Sequence, residues 1–136
     1  MELLDTNVIL RYLTKDDEAK AEACYELFEQ ARQGDKALFT CEAIIAEVVY
    51  VLSSPNLYQL SRNDIRARLL PIVSLQGLRI PNKSIYIRAL DIYVSHPQLD
   101  FEDAIAVSYM ERIGLTQIVS YDRDFDRIED IERIEP

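Results

Sequence analysis

The chain of 136 residues has one histidine, two cysteines, three glycines and five prolines, and each scarcity removes a class of function. With His96 alone, histidine-pair ribonuclease chemistry is excluded, as is any Ser-His-Asp triad that does not use that residue. His96 stands directly before Pro97, where a helix end or loop role suits it better than catalysis. Cys24 and Cys41 form no CxxC pair and lie in apolar surroundings, so they read as buried free thiols rather than a bridge or zinc site. Neither a Walker-type glycine loop nor a GxGxxG run is present, which leaves nucleotide binding through such a loop unsupported. No stretch approaches ~18 uninterrupted apolar residues, and the start MELLDTNVIL has no basic region ahead of an apolar one. A secreted or membrane-spanning protein is therefore not expected, and a reducing cytoplasm is.

What is present favours a compact globular chain. Hydrophobic residues make up 49%, no segment is low-complexity or repetitive, and the length suits a single domain over 1–136. The 24 acidic residues against 15 basic ones give a net charge of −9, which opposes long-range attraction of nucleic acid. A nucleic-acid substrate would have to be held by something local.

Residues 2 to 4 form a short apolar run into Asp5-Thr6-Asn7, after which Val8, Ile9, Tyr12 and Leu13 recur at helical spacing. This predicts strand, tight turn and helix. A second helix is expected from Asp17 to Gln33 with Gly34 as its stop, then a strand over 37–39, and a helix capped by Thr40 running to Leu52. Ser61 and Asp64 resemble a capping box opening a helix toward Leu75, which Pro71 should kink or split. A strand over 78–80, Asn82 as a cap, a helix over 84–94, and a helix from Asp100 to Ile113 closed by Gly114 follow. The tail reads as a strand over 117–120, a polar loop over 121–127 and a short edge strand. Helices alternating with apolar strands imply an α/β three-layer sandwich, with a central, mainly parallel sheet flanked by helices. In such sheets function gathers at the carboxyl ends of strands, where Asp5 and Asp122 fall.

Four positions stand out chemically. Glu47 interrupts the apolar run from Ala43 to Leu52, so it is either a buried carboxylate with a partner or an exposed residue on a narrow polar stripe. Asp5 suits a helix N-cap as well as a site. Asp103, three residues after Asp100, fits a helix start, and Asp122 and Asp124 in YDRDFDR fit a turn. Each is ordinary alone. Together they offer a carboxylate cluster that a hard cation, Mg²⁺ or Mn²⁺, could offset, leaving room for phosphate oxygens.

Four segments carry a resemblance: LLDTNVIL, TCEAIIAEVVYVL, LDFEDAIAV and IVSYDRDFDRI. In order and spacing they resemble the PIN-domain family, more narrowly the toxin component of VapBC-type toxin–antitoxin pairs, over nearly the whole chain. The resemblance implies that Asp5, Glu47, Asp103 and Asp122 are catalytic metal-binding acids, with Asp124 a neighbour sharing the role of Asp122. It implies further that Thr6 and Asn7 hold the Asp5 turn and that Asp100 assists. Arg11, Lys15, Arg62, Arg66 and Arg123 are candidates for local phosphate contacts, although a solvated surface charge is the commoner role for each. The implied activity is Mg²⁺-dependent hydrolysis of RNA phosphodiesters, with an antitoxin partner and a homodimer, the latter expected also from helical apolar surface around Leu57, Tyr58 and Leu60. Two alternatives are a catalytically inactive PIN-like binding module and an aspartyl-nucleophile Mg²⁺ phosphohydrolase. Asn7 counts against the second, because such sites place another Asp two residues after the first.

Overall fold

A computed structural model describes all residues, 1–136, and every strand pairing in it is parallel. The elements run β1 (Glu2–Leu3), α1 (Thr6–Thr14), α2 (Glu18–Gln33), β2 (Leu38–Phe39), α3 (Glu42–Ser53), α4 (Arg62–Val73) and β3 (Leu78–Arg79). Then come α5 (Lys83–Ser95), α6 (Phe101–Ile113), β4 (Gln117–Val119), a 3₁₀ turn (Arg123–Arg127) and β5 (Glu132–Ile134). The α/β class expected from the sequence is thus observed. The chain divides into two compact units, Met1–Lys83 and Ser84–Pro136. No helix is long and apolar enough to cross a membrane.

In the first unit the strands are ordered β1-β2-β3, with Glu2 opposite Leu38 and Leu38 opposite Leu78. Apolar side chains fill the space between this small sheet and its helices: Ile9, Leu38, Ile45, Leu52, Leu69 and Leu78 are almost wholly buried. The α2 helix is bounded as its sequence dictates, by an Asp17 carboxylate accepting from the Lys20 N–H and by Gly34 in the left-handed region at φ 85°. Tyr12 of α1 packs tilted on Phe28 of α2 at 4.7 Å and stacks toward Tyr25 at 6.4 Å. Gly77 is required for a different reason. A Cβ there would sit 2.1 Å from the Ala31 carbonyl oxygen, so β3 can begin against the end of α2 only without a side chain.

Several expectations are corrected here. Thr40 does not cap α3; Cys41 occupies the cap position, while Thr40 is fully buried and its hydroxyl donates to the Leu4 carbonyl at 3.1 Å. The cap of α4 is Ser61, as expected, but Pro71 neither splits nor ends the helix, which continues to Val73 and stops short of Leu75. Proline near the last turn forfeits little, because the helix has few bonds left to lose. Asn82 adopts φ 57°, a left-handed turn rather than an extended cap, and α5 starts at Lys83. The Lys83 ammonium donates to the Leu75 and Leu78 carbonyls, and burial lowers its pKa. Leu57, Tyr58 and Leu60 lie outside any helix, and the Tyr58 hydroxyl donates to Asp16 at 2.7 Å. Of the thiols, Cys24 is buried and Cys41 half-buried.

In the second unit α5 and α6 bury Ile85, Ala89, Leu90, Ala104 and Val107, and the Ser108 hydroxyl donates to the Ile85 carbonyl at 2.9 Å. Asp100 caps α6, accepting from the Asp103 N–H at 2.8 Å, and Gly114 closes it at φ 75°. The strands β4 and β5 pair with Gln117 opposite Glu132. The segment expected as a polar loop over 121–127 is mostly a 3₁₀ turn, pinned by buried Phe125.

Candidate acidic site

In the first unit, β1 delivers Asp5 to the N-cap position of α1, where its backbone carbonyl accepts from the Val8 N–H at 3.2 Å. Its carboxylate makes no capping hydrogen bond and is exposed, so the side chain is not consumed by the helix. Thr6 and Asn7 are the first two helical residues. The strand end before them is fixed twice, by the Leu4 N–H on the Phe39 carbonyl at 2.7 Å and by the buried Thr40 hydroxyl on the Leu4 carbonyl. Thr40 is therefore a positioning residue for Asp5. Its signal in the sequence, a threonine at a strand end, was indistinguishable from an N-cap.

Glu47 is exposed, so of the two readings open from the sequence the narrow polar stripe is the one observed. Ile45, Val48, Val49 and Leu52 face the core, whereas Ala43, Glu47 and Tyr50 form an open stripe at helical spacing. The carboxylate thus carries no desolvation cost in this arrangement. Arg11 is committed to Asp16 at 2.9 Å, and Asp16 also accepts from the Thr14 hydroxyl at 3.1 Å.

In the second unit Asp100, Asp103 and Asp122 interact. Asp103 is half-buried, and its pKa is pushed up to about 6 by burial first, then by the charge of Asp100, by sharing a hydrogen bond with that carboxyl, and by the charge of Asp122. Asp122 caps the 3₁₀ turn, accepting from the Asp124 N–H at 2.9 Å, while its own N–H donates to the Ser120 hydroxyl at 3.0 Å. Asp124 is exposed, and its carbonyl accepts from Gln98 at 3.5 Å.

Arg133 holds this acidic turn in place and was not singled out from the sequence. It donates to the Ser120 carbonyl at 3.0 Å and pairs with Asp126 at 2.7 Å and Glu135 at 2.8 Å. These bonds tie β5 to the turn that carries Asp122 and Asp124, which makes Arg133 a positioning residue.

The donor chemistry suits a hard cation. The charges of Asp100 and Asp122 raise the proton affinity of Asp103, a repulsion that a divalent ion would relieve, and all the ligating atoms on offer are oxygens. No three such side chains close around one point.

A family model described as "PIN domain" matches residues 3–131 and so runs through both units. The chain is also 30% identical over 128 residues to a "VapC ribonuclease" of Aquifex aeolicus (strain VF5), covering 94% of this chain and 92% of that protein. With the acidic strand ends, the parallel pairings and this match over nearly its whole length, the chain belongs to the PIN-domain family.

Proposed function

We propose that the chain is an endoribonuclease that hydrolyses RNA phosphodiesters with Mg²⁺, or Mn²⁺ in its place, and that it is the toxin of a toxin–antitoxin pair. The observation that carries this reading is the grouping of Asp100, Asp103 and Asp122, in which Asp100 caps the turn on which Asp103 stands and burial, then the charges of Asp100 and Asp122, raise the pKa of Asp103. The similarity to a VapC ribonuclease supports it. Asp5, Glu47, Asp103 and Asp122 are the proposed catalytic acids and metal ligands, with Asp124 as a fifth carboxylate and Thr6, Asn7 and Asp100 in support. A bound ion supplies Lewis acidity toward phosphate and water at neutral pH. The chain's own part is to orient these carboxylates, with Asp5, Glu47 and Asp122 exposed and Asp103 half-buried. Asp5 is spared from capping, Asp100 fixes the first turn of α6 on which Asp103 stands, and Asp103 releases its shared proton to become a ligand. No side-chain nucleophile is assigned.

Glu47→Gln is the direct test. Glu47 is exposed, so the variant should fold and melt like the wild type while losing Mg²⁺-stimulated cleavage of RNA by about a hundredfold or more. Equal cleavage by the two proteins would remove Glu47 from the site. The same reading places the protein in the cytoplasm as one functional domain, a homodimer bound by an antitoxin. Exposed Tyr50 and Leu57 offer apolar surface for such contacts. A monomer mass at micromolar concentration would refute the dimer.

A further inference from the structure

With a net charge of −9, the chain needs a local device to hold a polyanion. The cleft between α1 and α2 provides one. It has a volume of about 320 Å³ and is lined by Asn7, Val8, Arg11, Lys20, Ala23 and Cys24, without a carboxylate among them. Its lining combines apolar Val8 and Ala23 and the buried Cys24 with two cations and an amide. The Arg11 guanidinium is anchored through one nitrogen to Asp16, which leaves further N–H groups for a ligand and fixes the head group without a mobile search. Asp16 is itself satisfied by three donors, Arg11, Thr14 and Tyr58. Lys20 is exposed, and only its backbone N–H is engaged, by Asp17. Asn7 is two residues beyond Asp5, and Arg11 lies about 9 Å further along the axis of α1 than Asp5 by the rise of a helix.

We infer that this cleft, through Asn7, Arg11 and Lys20, binds a backbone phosphate of single-stranded RNA next to the one that is cleaved. The inference rests on the ribonuclease reading and adds a substrate contact to it. A compact lysine charge beside an anchored guanidinium suits a phosphodiester. The cleft thereby offsets locally the repulsion that the whole chain exerts.

The test is the salt dependence of binding to a short single-stranded RNA of mixed sequence, followed by fluorescence anisotropy in chelator so that no cleavage occurs. Each phosphate contact on a single strand contributes about 0.7 to the slope of log K against log salt. Because Arg11 and Lys20 share one phosphate, Lys20→Gln and Arg11→Gln should each lower the slope by part of that amount and weaken binding several-fold, the double variant should lower it by about the whole amount, and Lys20→Arg should keep the wild-type slope. Lys20 is exposed, so its variants should retain the wild-type melting temperature, which separates lost contact from lost fold. Wild-type slopes in both Gln variants, with RNA still cleaved by the unmodified protein in Mg²⁺, would overturn the phosphate site and leave the ribonuclease reading standing. Lowered slopes in a protein that cleaves no RNA would do the reverse.

Discussion

Asp103→Asn is expected to abolish Mg²⁺-stimulated RNA cleavage and, in the same protein stripped of metal, to raise the melting temperature above pH 6. The loss follows from removing a proposed ligand, for which about a hundredfold is a lower bound, since changes to outer-shell partners alone cost roughly 10–100-fold. The gain follows from the raised pKa. In the folded chain Asp103 titrates near 6 against an ordinary 3.8, so the native state holds the extra proton between those values. Its contribution to stability is therefore complete below about pH 4 and is lost as pH rises through 6. Asparagine has no charge to repel Asp100 and Asp122 at any pH. Asp103 is only half-buried, and solvent screening reduces the gain to about 1 kcal/mol, or about 3 °C, at pH 7.5. At pH 4 the difference should vanish. Thermal melts of the two proteins in chelator at both pH values check the sign. An equal shift at pH 4 and 7.5 would show that charge crowding around Asp103 is not its cause.

Gly77→Ala is expected to be far more damaging than its single methyl suggests. The added carbon would lie 2.1 Å from the Ala31 carbonyl oxygen and 2.7 Å from its carbon, and these are backbone atoms that cannot swing aside. Relief requires the end of α2 and the start of β3 to part, although the Gly77 carbonyl accepts from the Leu38 N–H at 2.9 Å and sets the register of β2. Overpacking of mobile side chains costs about 1–3 kcal/mol, and a rigid backbone contact should reach or exceed the upper end. A loss of about 10 °C in melting temperature, or failure to accumulate as soluble protein, is the anticipated result. A melting temperature within 2 °C or so of wild type would mean that the two segments separate freely. Gly34→Ala offers the control, since its Cβ would meet nothing within 4 Å and the penalty there is only for φ 85°.

Elements with their own end signals were legible in the sequence. Asp17 with Gly34, Ser61 with Asp64, and Asp100 with Gly114 each fix a helix by local hydrogen bonds or a left-handed stop, so no tertiary information is needed. Where a residue had two plausible local roles, tertiary packing chose. Thr40 became a buried donor to Leu4 rather than a cap, and Asp5 kept its carboxylate free although the position favoured capping. The exposure of Glu47 could not be decided from the sequence because Ala43 and Tyr50 count as apolar in a pattern yet lie open in the fold. Arg133 escaped notice for a similar reason. Its partners Ser120 and Asp126 are brought to it by the β4–β5 pairing, and nothing in ERIEP announces that.

The strand pairings also set a schedule for synthesis. In the first unit, β1 must wait for β2 and β2 for β3, about forty residues each, or some two to eight seconds at ribosomal speed. Helices α1 and α2 can form meanwhile from local contacts, so the Asp5 turn is locked only when Phe39 and Thr40 emerge. By then neither Asp103 nor Asp122 has been made. Since the proposed acids are spread from Asp5 to Asp124, a polypeptide that ends before the 3₁₀ turn lacks part of the set, and the activity proposed for it would be withheld until translation is nearly complete.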